Sequence, residues 1–308
     1  MLPQKVYHIV ATTDAHYMVL LAALIKSLEY TLEEDALICF HIIEVKLTPQ
    51  LKKQMEDSVD ARRIEIDWVH LSNDLLNKFK LPLDRSSYPQ NIYMRLLIPY
   101  ILDPSIQKVL YLDVDMVVLK SVSSIFETDL GECIIAAVKD QRVTSFGHSW
   151  GGIKNYKMLG LSPDLPYFNT GLLLIDIQSW RAFEVTKKVF ECISKNKQYA
   201  NYPDQYGLNV VLAEKWKQLD PRWNYFSCGD DPRPFLVHFV GRKPIFGSYN
   251  GNSRYKELFF GYLKNTKWYN LGAVSELERY KQKLSIVFSK LMKITQKLKQ
   301  VFYDKKSH

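Results

Sequence analysis

A chain of 308 residues that is 47% hydrophobic, 13% aromatic and 24% charged can build a sizeable core, which excludes disorder over most of its length. Its formal net charge is +8, but nine Lys/Arg against three Asp/Glu fall between Glu276 and the C-terminus, and the body lacks the basic face with interleaved aromatics that suits a nucleic-acid binder. Four scattered cysteines, Cys39, Cys133, Cys192 and Cys228, form no CxxC pair, so they suggest neither a zinc site nor a disulfide framework and point to reduced thiols in the cytosol. Val6–Ala11 reads as a buried strand and Tyr17–Tyr30 as a helix. The apolar run Met18–Ile25 inside that helix is eight residues, too short to span a bilayer and poorly placed for a signal peptide. Ala36–Val45 is a second strand, Thr48–Ser58 a polar helix with Pro49 at its start, and Ile64–Val69 a third strand. This alternation predicts an α/β fold with a largely parallel, doubly wound sheet. Tyr93–Ile101 reads as a helix that is interrupted or ends near Pro99, and Lys108–Leu112 as another buried strand. Two further apolar strands, Ile134–Val138 and Leu172–Ile177, are separated by Gln141–Pro166, whose Gly, Ser and Asn content predicts a long loop of the kind that covers a site.

Chemistry concentrates where the strand Lys108–Leu112 ends. Asp113 and Asp115 follow it at spacing i, i+2 and point to the same side, so two like charges are delivered together. Ionised carboxylates held close are costly without a compensating cation, which makes a divalent metal at the carboxyl end of the strand the natural expectation; two solvated Asp residues at a strand end are the plainer alternative. His238 stands in the strand-like run Phe235–Phe239. Alone it would be read as a core histidine. Beside the acidic pair it completes a mixed oxygen and nitrogen donor set, which suits Mn2+ better than Mg2+, although magnesium stays possible. Gly241 and Lys243 follow, and would let backbone amides and an ammonium approach phosphate oxygens.

Four ordered motifs carry a resemblance: LYLDVD at Leu110–Asp115, including Val114 between the two carboxylates, YFNTG at Tyr167–Gly171, Asp204-Gln205, and HFVGRKP at His238–Pro244. In this order they resemble glycosyltransferase family 8, which includes bacterial lipopolysaccharide galactosyl- and glucosyltransferases and glycogenin. The resemblance covers about Val6 to Pro244 and implies a GT-A fold: a Rossmann-like, mostly parallel central sheet flanked by helices. It also implies a UDP-hexose donor and retention of anomeric configuration. By matching position, Thr12, Asp14 and His16 would meet the uridine, with His16 standing where the family more often has Asn. Arg95 would lie near the donor, and Asp140, Asn169 and Gly171 would line the sugar pocket. The last motif lacks the family's tryptophan, Ile245 and Phe246 following Pro244, yet Lys243 remains the expected phosphate ligand. Asp204 would bind sugar hydroxyls or cap a helix after Pro203, and Gln205 would support an oxocarbenium-like transition state. An amide is a poor nucleophile, so front-face substitution is expected, with the metal and Lys243 stabilising the departing UDP.

The catalytic domain is expected to span residues 1–272 and a basic amphipathic helix residues 273–308. In that tail Leu277, Leu284, Leu291 and Leu298 interleave with Tyr280, Val287, Ile294 and Val301 in heptads. Lys283, Lys290 and Lys297 border the apolar face without acidic partners, while Phe288 and Phe302 widen it. A helix lying on the anionic inner face of the cytoplasmic membrane is therefore expected, with helix pairing or docking on the domain as alternatives. A membrane-surface enzyme implies a lipid-linked oligosaccharide acceptor, such as lipopolysaccharide core or another envelope glycan. Two competing readings stand beside this one. LYLDVDMVV also fits the opening motif of haloacid-dehalogenase-like phosphatases, with Asp113 as nucleophile and Gly229-Asp230-Asp231 as the later acidic motif, and a non-catalytic sugar-nucleotide or membrane-binding module is the other.

Overall fold

The computed structural model describes residues 4–79 and 90–272. Strand β1 (Lys5–Asp14), helix α1 (Met18–Thr31), β2 (Ala36–Val45), α2 (Pro49–Glu56) and β3 (Ile64–Val69) form the expected alternating opening. α3 (Asn73–Lys78), a 3-10 helix over Gln90–Leu97 and α4 (Ile98–Ile101) lead to β4 (Lys108–Leu112), β5 (Met116–Val118), α5 (Ser123–Phe126) and β6 (Ile135–Lys139). The remainder comprises β7 (Phe168–Asp176), α6 (Ile177–Ala182), α7 (Val185–Lys195), α8 (Pro203–Val211), β8 (Trp216–Gln218), a 3-10 turn at Pro221–Asn224, β9 (Tyr225–Phe226), β10 (Leu236–His238) and α9 (Ser253–Leu263).

Seven strands form one sheet in the order β3-β2-β1-β4-β7-β6-β8. All neighbouring pairs are parallel except those of β7, which runs antiparallel to both β4 and β6. Because β7 is reversed, its first residues meet the last residues of β1, β4 and β6 at one edge of the sheet. That edge is where an open α/β sheet places its ligand. One face of the sheet packs against α1 and α9, in a core containing Ile9, Phe40, Leu112 and Leu174; the other packs against the 3-10 helix, α6, α7 and α8 through Val10, Tyr111, Leu173 and Trp180. The alternation of these residues along each strand is the period-2 pattern that a two-sided buried sheet requires.

A smaller sheet, β5-β10-β9, lies against the far side of α1. Ser27 Oγ on α1 accepts a bond from the Val118 backbone N–H at 2.8 Å and fixes that contact. Pro99 does not end a helix. It sits in the first turn of α4, where its missing N–H has no partner to lose, so the 3-10 segment hands over to α4 at that point. Strand β7 starts at Phe168, four residues before the expected Leu172, because Asn169 to Gly171 still pair across the sheet edge. No helix among the described residues is long and apolar enough to cross a membrane. The heptads from Leu277 onward lie outside the described residues.

Candidate active site

The acidic pair is set by the way β4 ends. Asp113 N still donates to Gly171 O at 2.8 Å, so the carboxylate is held beside the start of β7. Val114 then turns toward the apolar core, which leaves Asp113 and Asp115 on the side facing the cavity before β5 begins. β10 runs antiparallel to β5 with His238 opposite Met116, and Phe239 N donates to Asp115 O at 2.9 Å. The imidazole is thereby delivered to the pair by strand pairing. Its Nε2 lies 3.4 Å from Asp115 Oδ1 and 3.9 Å from Asp113 Oδ2. Donor atoms of the three residues all lie within 4.8 Å of one another.

The proton on that imidazole can be placed from its neighbours. Asn169 Oδ1 accepts from Gly171 N at 2.9 Å and its Nδ2 donates to Asp140 Oδ2 at 3.0 Å, which fixes the amide orientation. Asn224 Nδ2 donates to the same Asn169 Oδ1 at 2.9 Å, so Asn224 Oδ1 is turned toward His238 and accepts from Nδ1–H at 2.8 Å. Nε2 is left with its lone pair facing the carboxylates, the form in which histidine ligates a metal. Two carboxylate oxygens and an imidazole nitrogen fit a divalent cation, with Mn2+ and Mg2+ both admissible by charge. Gly171 is required here by space: a Cβ on it would stand 2.6 Å from His238 Cε1 and 2.9 Å from Met116 Cε.

Around this centre the charges are interlocked. Asp113 Oδ1 accepts from Tyr111 Oη at 2.6 Å and from Arg95 Nη2 at 3.0 Å. Arg95 is buried, not a helix-surface charge; its Nη1 donates to Thr170 O at 2.7 Å and its Nε lies 3.3 Å from Asp204 Oδ2. Burial pulls the guanidinium down, but Asp113, Tyr111 and Asp204 keep it raised above its ordinary value. Asp204 sits inside the first turn of α8 rather than capping it, the cap position being Tyr202. Burial lifts its carboxyl above the ordinary value against the opposing pull of Arg95, with the Asp113 charge adding to the rise. Gln205, the next residue, accepts at Oε1 from Thr170 N at 3.2 Å and Thr170 Oγ1 at 3.3 Å, and its Nε2 reaches Asp140 Oδ2 at 3.5 Å. Asp140 Oδ1 meanwhile takes the Arg142 and Val143 amides at 2.8 and 2.9 Å. Lys243 Nζ donates to Asp115 Oδ2 and, at 2.9 Å, to Phe239 O. Burial alone would raise the Asp115 carboxyl, yet the Lys243 ammonium reverses this and holds it far below the ordinary range.

A cavity of about 310 Å3 joins these groups. Arg95, Asp113, Asp115, Asp140, Asn169, Gly171, Asp204, Gln205, His238, Gly241 and Lys243 all line it, as does Trp150 on the loop after β6. Thr12, Asp14 and His16 do not line it; they lie where β1 ends and α1 begins. Asp14 Oδ1 accepts from the His16 and Tyr17 amides at 2.9 and 3.2 Å and so shapes that turn. Thr12 Oγ1 is buried without a hydrogen-bond partner, and the His16 side chain is exposed. Gly229 and Asp231 belong to a separate turn, in which Asp231 N donates to Tyr225 Oη at 3.1 Å and Asp231 Oδ1 accepts from Arg233 N. The sequence reading missed Tyr111, Asn224 and Trp150. Tyr111 passes for an ordinary strand residue, and nothing distinguishes Asn224 until β10 is seen beside it.

Comparison with known proteins follows the same residues. The family described as Glycosyl transferase family 8 matches residues 8–251. General stress protein A of Bacillus subtilis (strain 168) is 26% identical over 291 residues, covering 87% of this chain and 96% of that protein. Glycosyltransferase GlyF of Streptococcus pneumoniae serotype 4 is 26% identical over 266 residues, covering 82% of this chain and 60% of its own length. Among solved structures, the galactosyltransferase LgtC in complex with donor and acceptor sugar analogs superimposes with a TM-score of 0.70 at 22% identity, over 84% of this chain and 96% of that one. That likeness, with the mostly parallel sheet, establishes the GT-A fold.

Proposed function

The chain belongs to glycosyltransferase family 8 and is therefore a glycosyl-transferring protein, and from that premise we propose that it is a retaining hexosyltransferase moving glucose or galactose from a UDP-sugar to a hydroxyl of a glycan acceptor. The observation that carries this reading is the Asp113–Asp115–His238 cluster with its Nε2 lone pair directed at the carboxylates. A divalent cation held by these three residues would supply electrostatic stabilisation for the departing diphosphate. Asp113 is pre-oriented for this by Tyr111 and Arg95, and His238 by Asn224.

The remaining residues divide the substrate between them. Lys243 and Gly241 stand at the metal end, where an ammonium and a backbone amide can meet phosphate oxygens; Gly241 has φ +88°, which exposes its amide in a way most side chains disfavour. Asp140, Asn169, Asp204 and Gln205 supply carboxylate and amide groups at the other end, matched to sugar hydroxyls. The orphaned Thr12 hydroxyl, beside Asp14 and His16, supports a nucleoside at the end of β1. Gln205 is an amide locked to Thr170, which supports attack by the acceptor hydroxyl on the leaving-group side: the anomeric bond to the β-phosphate oxygen breaks, the new glycosidic bond forms on the same face, and the acceptor proton passes to the departing oxygen. Lipopolysaccharide core or another lipid-linked envelope glycan is the acceptor class favoured by the Lys-bordered heptads after Ala273, which would hold the enzyme peripherally on the cytoplasmic membrane.

Turnover of UDP-glucose and UDP-galactose tests this reading through UDP release. Release that requires Mn2+ and falls at least about a hundredfold in Asp115→Ala is expected. Release unaffected by chelation, or absent with every UDP-hexose, would sink it.

A further inference from the structure

The loop joining β6 to β7 carries a tryptophan in a place where burial would be the ordinary fate. Trp150 is 55% exposed, yet it lines the same cavity as the carboxylates. Leaving much of a side chain of that size in water forgoes the stabilisation that its burial would bring. No hydrogen bond to its indole N–H is found among the described residues.

The loop beneath it is built to hold its backbone still. Val143, Phe146, Ile153 and Tyr167 form a small core of their own with Ala200 and Tyr206. Ile153 N donates to Phe146 O at 2.8 Å, Phe146 N to Leu165 O at 2.9 Å, and Tyr206 Oη on α8 to Asn155 Oδ1 at 3.0 Å. Trp150 stands at the apex of the reversal from His148 to Gly152, where His148 Nδ1–H donates to Trp150 O at 2.7 Å. The two residues after it have to be glycine. Gly151 has φ +82°, and a Cβ on Gly152 would stand 2.4 Å from Phe146 O. A backbone so constrained, carrying an exposed aromatic, is a preformed contact surface and not a loose loop.

Strand order says what should lie on it. Across the edge of the sheet β1, β4, β7 and β6 follow one another. With the nucleoside at β1, the metal ligands after β4 and the sugar-binding Asn169 and Asp140 on β7 and after β6, the cavity beyond them belongs to whatever receives the sugar. Trp150 stands on the connection that leaves β6 and lines the cavity that Asp140, Asn169 and Gln205 also line. We propose that Trp150 is the stacking platform for the acceptor, a pyranose ring whose C–H face lies on the indole and whose hydroxyl points inward. This rests on the transferase reading above.

Two measurements separate the two claims. With Mn2+ and UDP-glucose or UDP-galactose, transfer by Trp150→Ala to lactose, maltose or cellobiose is expected to show an acceptor KM raised about tenfold or more. If the wild type releases no UDP at all, the transferase reading fails; if it does and Trp150→Ala transfers with the wild-type acceptor KM, only the platform fails. In protein labelled with 5-fluorotryptophan, the fluorine resonance missing from Trp150→Phe should shift on titration with those disaccharides and stay in place with UDP alone. A resonance that ignores all three disaccharides, or moves with UDP, overturns the proposal.

Discussion

His238 is held by Asn224 from 14 residues upstream, and that one hydrogen bond decides which ring nitrogen meets the carboxylates. Asn224→Ala removes the acceptor of Nδ1–H and leaves Asn169 Oδ1 with the Gly171 amide alone. The expected outcome is a fall in Mn2+ affinity of about 10–100-fold, as is usual when a group orienting a metal-bound histidine is lost. Calorimetric or electron-paramagnetic titration of Mn2+ into the folded variant checks it, and unaltered affinity would mean that the amide chain does not set the tautomer. At this scale the sequence was legible where chemistry is concentrated in a short word: Asp113, Asp115 and His238 meet as expected. Partners drawn from elsewhere were not legible, because Asn224 and Tyr111 acquire their roles only when strands and helices are placed side by side. Asp14 shows the converse, since half of its carboxylate is committed to the turn that starts α1.

Among the elements, the strands that could be read from the chain are those long enough to show a period. β2, β3 and β4 begin and end where their apolar, β-branched runs do. β5, β8 and β9 have three residues or fewer, too few to alternate, and their pairing is fixed by the sheet they join, whereas β10, equally short, lies inside the apolar run Phe235–Phe239. α7 and α8 illustrate what packing adds. Gly207 lies in the middle of α8, where glycine is a poor helix former, because a Cβ there would stand 2.8 Å from Val189 Cγ1 and 3.0 Å from Ile193 Cγ1 on α7. The close approach of the two helices holds Asp204 and Gln205 against β7. Gly207→Val is expected to destabilise the fold by roughly 1–3 kcal/mol through overpacking, visible as a lower thermal midpoint, with a parallel loss of UDP release. A variant as stable as the wild type would show that α8 can move outward without harm.

For the whole molecule, the important fact is that two sheets meet at the Asp113–Asp115–His238 cluster. Asp113 continues the ladder of the large sheet, whereas His238 belongs to the small one, and α1 is packed between them. A cation bound there ties the two together and adds to stability by mass action, about 2.7 kcal/mol when Mn2+ is present at a hundred times its dissociation constant. A rise in the thermal midpoint of roughly 5 °C on adding MnCl2 is therefore expected, and none in Asp115→Ala. Equal shifts in both proteins would place the stabilising ion elsewhere.

The order of strands along the ligand edge also bears on how such a protein can change over time. Groups assigned to the leaving half of the donor are anchored on the middle of the large sheet and its junction with the small one, while Trp150 hangs from a connection whose small core is completed by Tyr206 of α8. Insertions and substitutions in that connection can retune which glycan is welcomed without disturbing the strands that hold the carboxylates. On the reading proposed here, donor use and acceptor taste can diverge at different speeds, carried by different pieces of the scaffold.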